Sequence, residues 1–230
     1  MTAKVDNKHE LKTKETRALL IRAAETIFAR DGYEGAELGE IAALAGRTKG
    51  AIYAQFKSKE DIFLALIEDR ALCYRAKMEK HLARCGTFEE SIAALRSFFL
   101  QRVDDHAWSL LLLEYKLFAM RHPESKKRLK ERYDRIYSFD DEKRFAEILG
   151  PADKGADAIS RVTAIQSLQP VISGLVLEGQ LETTLSDKKV MKKVVLRIFD
   201  ALLGVSAQTL GEDRAETPNP EIGEPVSRRF

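Results

Sequence analysis

The chain has 230 residues, 44% of them apolar and 32% charged, with a net charge of only +2. It is long enough to bury a substantial core in one large or two modest domains, so a folded soluble protein is expected. No apolar run approaches the ~18 residues of a membrane span, and the charged "MTAKVDNKHELKTK" has no apolar segment behind it; the expected location is the cytoplasm, with no membrane partner.

Apolar spacings of three and four recur along the chain while period-two alternation never lasts, so the expected fold is all-α, with about nine helices. Residues 1–10 are expected to be disordered. From residue 11, Leu20, Ala23, Ala24, Ile27 and Phe28 make a helix that the Asp31-Gly32 pair ends. Short helices over 38–45 and 49–55 flank a turn at Gly46, and a long helix starts at Ser58. In "SKED", Ser58 can cap while Asp61 reaches back as a variant capping box. Thr87 with Glu90 three later opens the next helix, through about residue 103. "HAWSLLLLEYKLFAM", from His106, is apolar nearly all round and belongs in the middle of a bundle. Pro123 begins a helix that Gly150-Pro151 ends, either unbroken or interrupted near 138–141. Its basic run "KKRLKERYDR", with interleaved acids, reads as a solvated face.

Two C-terminal helices, 153–180 and 186–205, carry apolar stripes that are wide for the end of a domain, and Pro170 should kink the first. A dimer interface is the natural cover, with Leu168, Ile172, Leu175, Val195, Ile198 and Leu202 meeting their copies in a four-helix arrangement across a two-fold axis. Residues 211–230 are polar and proline-rich and are expected to be a disordered tail. Cys73 and Cys85 fit no metal spacing and are expected to be reduced thiols; alternatively, Cys73, Lys77, His81 and Cys85, stepping by four along one helix face, make a redox or metal sensor. No cofactor or metal site and no catalytic residues are expected, because the histidines at 9, 81, 106 and 122 pair with no nucleophile motif and no Gly-rich loop follows a strand.

The charge is locally uneven: between residues 45 and 59 stand Arg47, Lys49, Lys57 and Lys59 and no acid. In "AGRTKGAIYAQF" two short helices meet at a glycine turn, the layout of a helix-turn-helix. Ala42 permits a close crossing, Gly46 permits positive φ, and Ile41, Ala45, Ile52 and Phe56 face inward. Outward, Thr48 can cap the second helix and offer its hydroxyl to a phosphate, with the N-terminal amides favouring an anion. Lys49, Lys57 and Lys59 add phosphate contacts, Gly50 and Ala51 keep the leading face thin enough to approach base edges, and Tyr53 sets its hydroxyl on the backbone.

On these residues, residues 11–70 resemble the DNA-binding domain of the tetracycline repressor (TetR) family of bacterial regulators. The pattern is "AAETIFARDGYEGAELGEIAALAGRTKGAIYAQFKSKEDIFLAL", with Phe28, Gly32, Tyr33, Ile41, Ala42, Ala45, Gly46, Gly50, Tyr53, Phe56, Lys59 and Leu64 carrying the family's residue types. The resemblance implies an N-terminal three-helix reading domain and, over 71–210, a helical bundle that binds a small-molecule effector and dimerises. It also implies a homodimer on a near-palindromic double-stranded operator. The chain departs from the family at Ala36 and Glu37, where small hydroxyl residues are usual, at Arg47, where an aliphatic is usual, and at Gln55 in place of histidine or tyrosine. An unusual operator preference is expected, with Arg47 snorkelling to a phosphate.

For the effector, Trp108, Leu112, Tyr115 and Phe118 lie near the centre of the most apolar helix, and Gln169 beside Pro170 offers a polar handle. The alternative is that these aromatics simply fill the core. The expected function is a transcriptional regulator, a repressor relieved by its effector; the rival reading is a helical protein-interaction module that binds an acidic partner.

Overall fold

A computed structural model describes residues 2–136, 143, 145, 159–181 and 183–205. Among them all regular structure is helical: α1 (Thr2–Gly35), α2 (Leu38–Leu44), α3 (Lys49–Tyr53), α4 (Lys59–Leu82), α5 (Phe88–Arg102), α6 (His106–Arg121), α7 (Pro123–Ile136), α8 (Arg161–Glu178), α9 (Thr183–Ser186) and α10 (Lys188–Leu203). The expected break near 138–141, the Gly150-Pro151 stop and the tail over 211–230 lie outside the described residues.

The local signals act as their chemistry requires. Thr48, Ser58 and Thr87 each accept the backbone N–H three residues on, and Glu90 reaches back to complete the box at Thr87. At Ser58 the box is displaced by one residue, because Asp61 accepts the N–H of Lys57 at 2.8 Å. The helical path of α1 breaks at Gly32, whose φ is 73°. Two expectations change. Residues 2–10 continue α1 rather than remaining without structure. α4 ends at Leu82, so Cys85 lies beyond the helix and the four-residue sulfur stripe does not form; its thiol donates to the His81 carbonyl at 3.4 Å. α8 runs through Pro170 as one helix, with the proline on its exposed side.

Two cores result. The first gathers Leu20, Ile27, Phe28, Ile41, Ile52, Phe56 and Ile62 to Ile67 with Trp108, Leu112, Tyr115 and Leu129. It therefore binds α1–α4 to α6 and α7, across the expected boundary at residue 70. The second joins Leu82, Leu95 and Phe99 to Leu168, Ile172, Met191, Val195 and Phe199 of α8 and α10. α6 is less enclosed than its composition implies: Leu117 and Met120 are 60% and 64% exposed. The basic run of α7 is also not simply solvated. Arg128 pairs with Glu60 and Asp61, and Arg132 with Glu68, so these two cations turn inward onto α4.

Three described glycines hold positive φ, and two of them, Gly32 and Gly46, do so for different reasons. A Cβ on Gly46 (φ 63°) would meet no atom within 4 Å, so only the backbone conformation demands glycine there. A Cβ on Gly32 would also lie 2.8 Å from a carboxylate oxygen of Glu114. Gly46→Ala should therefore cost about 1 kcal/mol through backbone strain. Gly32→Ala should cost at least about 2 kcal/mol, because it also displaces Glu114; urea unfolding of the two variants measures the difference.

Candidate nucleic-acid interface

The head is set by burial on one side and left bare on the other. Ile41 and Ala42 of α2 and Ile52 of α3 are buried, with Phe56 just beyond, and the turn is closed by Arg47 N–H on the Ala42 carbonyl at 2.9 Å. On the outer side Arg47, Thr48, Lys49 and Gly50 are exposed, Ala51 is half-buried, and Tyr53 is 56% exposed. Tyr53 thus stands more than half exposed next to buried Ile52. Lys49 lies along Gly39, where a Cβ would come within 3.6 Å of its Cε. Thr48 Oγ1 accepts the Ala51 N–H at 3.3 Å and keeps its own proton for an outside acceptor. α3 is only five residues long, so its dipole is small and positive potential comes chiefly from the side chains.

Two of the departures from the family pattern, Arg47 and Gln55, have definite positions. Arg47 donates from Nη1 to the Gly46 carbonyl at 3.1 Å while remaining exposed. α3 ends at Tyr53 rather than at residue 55, so half-buried Gln55 lies just past it, near exposed Lys57. Lys59 differs from expectation. Its ammonium donates to the carbonyls of Glu34 at 2.6 Å and Ala36 at 3.2 Å and lies 5.3 Å from the Tyr33 ring centroid. It braces the α1–α2 connection instead of standing free with Lys49 and Lys57.

Of the residues expected to hold an effector, four are brought together and Gln169 is not. Trp108, Leu112 and Tyr115 are buried in the first core with Phe118 packed against it. Tyr115 sits 4.8 Å from Tyr33 and 4.5 Å from Phe63, ring centroid to centroid, and Phe118 sits 4.9 Å from Tyr33. Gln169 belongs to the other core, where its amide donates to buried Ser173 at 3.0 Å and accepts from Arg102. The dimer residues divide similarly. Leu168, Ile172 and Val195 are buried within the chain, whereas Leu175, Ile198 and Leu202 are only partly covered.

Sequence reasoning missed the residues that fix the head on the bundle. Glu114 of α6 accepts the N–H groups of Tyr33 at 2.8 Å and Glu34 at 3.4 Å, supplying acceptors where the helix path breaks. Tyr115 donates to Glu60 Oε1 at 3.0 Å, and Arg128 of α7 holds the other oxygen. Burial first, then the Glu60 charge, pushes the Tyr33 and Tyr115 phenols above the usual range, so both remain neutral. A lone carboxylate inside "SLLLLEYKLF" was the available signal for Glu114.

Fold and exposed motif together define a helix-turn-helix protein. Residues 20–66 match the family of bacterial regulatory proteins called the tetR family. Among curated relatives, the transcriptional regulator TtgR of Pseudomonas putida is 37% identical over 90 residues, covering 38% of this chain and 40% of that protein. The chain thus spans about two fifths of the length of the first curated relatives it matches. Similar folds are seen in the regulator FadR of Bacillus subtilis in complex with stearoyl-CoA, with a TM-score of 0.53 and 21% identity over 82% of this chain and 98% of that one. They are seen also in a complex of triclosan with SmeT, a repressor from Stenotrophomonas maltophilia, with a TM-score of 0.57 and 23% identity over 90% of this chain and all of that one. No helix among the described residues is long and apolar enough to cross a membrane.

Glu114→Ala should leave the Tyr33 N–H without an acceptor, costing about 1–3 kcal/mol and speeding amide exchange at Tyr33 and Glu34. Glu114→Gln, which retains an acceptor oxygen, should restore most of the protection. Combined with Gly32→Ala, the Glu114→Ala change should cost less than the sum of the two, because the collision is removed with the carboxylate.

Proposed function

We propose that this chain is a homodimeric DNA-binding transcriptional repressor. Residues 11–70 form the reading head and 71–210 the effector-binding and dimerisation body. The observation that carries the reading is the exposed outer face of α2–α3, where Thr48, Lys49 and Tyr53 stand out from a helix anchored by buried Ile52. Lys49, Lys57 and Arg47 contact phosphates, Thr48 and Tyr53 hydrogen-bond to the sugar-phosphate backbone, and Gly50, Ala51 and Gln55 lie closest to base edges. Lys59 acts indirectly, by holding the Glu34 and Ala36 carbonyls and hence the entry to α2. Each head occupies a major groove of a near-palindromic operator, one per subunit.

A small-molecule effector in the body releases the operator by favouring an arrangement of the heads that does not fit the DNA. It can shift the dimer only by its difference in affinity for the two arrangements. With Trp108, Leu112, Tyr115 and Phe118 packed in the first core, the place for the effector is the second core, where Arg102, Gln169 and Ser173 set polar groups beside apolar ones. The stearoyl-CoA and triclosan complexes of the two similar folds support a ligand with a large apolar part. Dimerisation uses the partly covered side of α8 and α10, with Leu175, Ile198 and Leu202.

If each subunit neutralises about four phosphates, binding to selected genomic fragments should fall with salt at a log–log slope of about −7. A slope shallower than about −2 on every duplex sinks the reading and favours the protein-interaction module. Lys49→Ala and Lys57→Ala should weaken all sequences alike, whereas Ala51→Ser should alter sequence preference in a binding-site library. Ile198→Glu should give monomers in sedimentation while the fold is retained, and Val195→Glu, buried inside one chain, should unfold it instead. An Ile198→Glu protein that remained dimeric would refute the placement.

A further inference from the structure

We infer that Arg17, from α1, is a phosphate contact of the DNA interface, extending the duplex footprint from the far end of α3 along the flank of the head. The inference rests on the DNA-binding reading above and names a residue outside the helix-turn-helix.

The guanidinium of Arg17 stacks over the Phe56 ring, 4.7 Å from its centroid. Phe56 is almost wholly buried, so the ring is a fixed floor, and the cation on it is held in place without being neutralised. Other arginines are spent differently: Arg30, Arg70, Arg96, Arg128 and Arg132 each pair with a carboxylate. Arg17 meets no carboxylate and makes no hydrogen bond among the described residues, so the donors of its fork are open. Stacking occupies its face and leaves its edge, the part that recognises a phosphate oxygen pair.

The surroundings suit an anion. Arg17 borders an open cleft of about 350 Å³ shared with Gln55, Phe56, Lys57, Asp61 and Arg132. The carboxylate in that lining, Asp61, is already engaged by the Lys57 N–H and by Arg128. Arg132 pairs with Glu68 yet leaves its buried Nε unmatched. The cleft is therefore net cationic and opens beside Gln55 and Lys57, which immediately follow the reading helix. A phosphodiester backbone leaving the α3 groove meets Lys57 first and Arg17 next. The fixed position of the guanidinium lowers the ordering cost that a free surface lysine would bear.

The test uses the full chain and a genomic duplex recovered by binding selection, with Arg17→Ala, Arg17→Lys and wild type compared by fluorescence anisotropy across salt and by phosphate-ethylation interference. Arg17→Ala should weaken binding about tenfold and make the salt slope shallower by about one per subunit. It should also abolish interference at one phosphate position per half-site. Arg17→Lys should retain the slope and lose part of the affinity, because the charge remains and the fork does not. Unchanged affinity, slope and interference pattern in Arg17→Ala, on a wild type that binds steeply, overturn the inference and leave the DNA-binding reading intact. Weaker binding with every ethylation position retained also overturns it, since the residue then acts at a distance. A wild type with no steep salt dependence defeats the underlying reading itself.

Discussion

The seating of the helix-turn-helix on the rest of the molecule depends on one packing cluster, in which Tyr115 from α6 meets both Tyr33 of α1 and Phe63 of α4, rings that also touch each other. Phe28 and Phe118 complete the cluster, with Phe28 edge-on to Phe63 at 4.8 Å. Such aromatic pairs contribute about 0.5–1.5 kcal/mol each beyond the area they bury. Their more important property is incompressibility: packed rings slip between arrangements and do not deform smoothly. A displacement of α6 must therefore either carry α1 and α4 with it or break the cluster. The head consequently inherits its angle from the body.

Charged groups refine what the rings establish. Glu114, Lys59 and Arg128 each act where a helix starts, ends or breaks: Glu114 at the Gly32 break, Lys59 on the carbonyls at and just past the end of α1, Arg128 on the first-turn acids of α4. These are places where backbone groups lack helical partners or where the dipole favours an opposite charge. Partly buried ion pairs of this kind offset much of their own desolvation cost, so they add direction more than stability. Arg128 is informative because it joins Glu60, which Tyr115 also reaches, to Asp61, which caps the approach to α4. Rings and charges thus converge on the residues that follow the reading helix.

The head was legible in the sequence because its constraints are local. Gly46 needs positive φ, Thr48 and Ser58 need to cap, and Ala42 needs to be small, all within a few residues of one another. Lys59 shows where such reading ends: its type fits a phosphate contact, but its partners are carbonyls that the chain brings close only on folding. The same limit applies to Trp108 and Tyr115. Composition places them inside without saying which neighbour they face, and the neighbour is the head. Leu168, Ile172 and Val195 failed as surface residues because a wide apolar stripe serves two purposes; the half on the four-residue step through Val195 fills the chain's own core. In the run on α7, apolar Leu129 and Tyr133 mark the inward side, yet Arg128 and Arg132 flank that side closely enough to reach α4.

α4 takes part in both cores, through Ile62 to Ile67 at one end and Leu82 at the other, and no residue between 68 and 81 is fully buried. In that middle stretch the helix is held mainly by polar and cation–π contacts, with Arg70 on Glu25, Asp105 and the Trp108 face and Arg102 over Tyr74. The two cores are thus joined along one rod as well as where α6 packs on α8, and the rod's midpoint is the less protected of these links. Melting a few turns there would leave the cores joined through α6 and α8 while each kept its own hydrophobic interior, so the cooperativity of unfolding is divided between the two links.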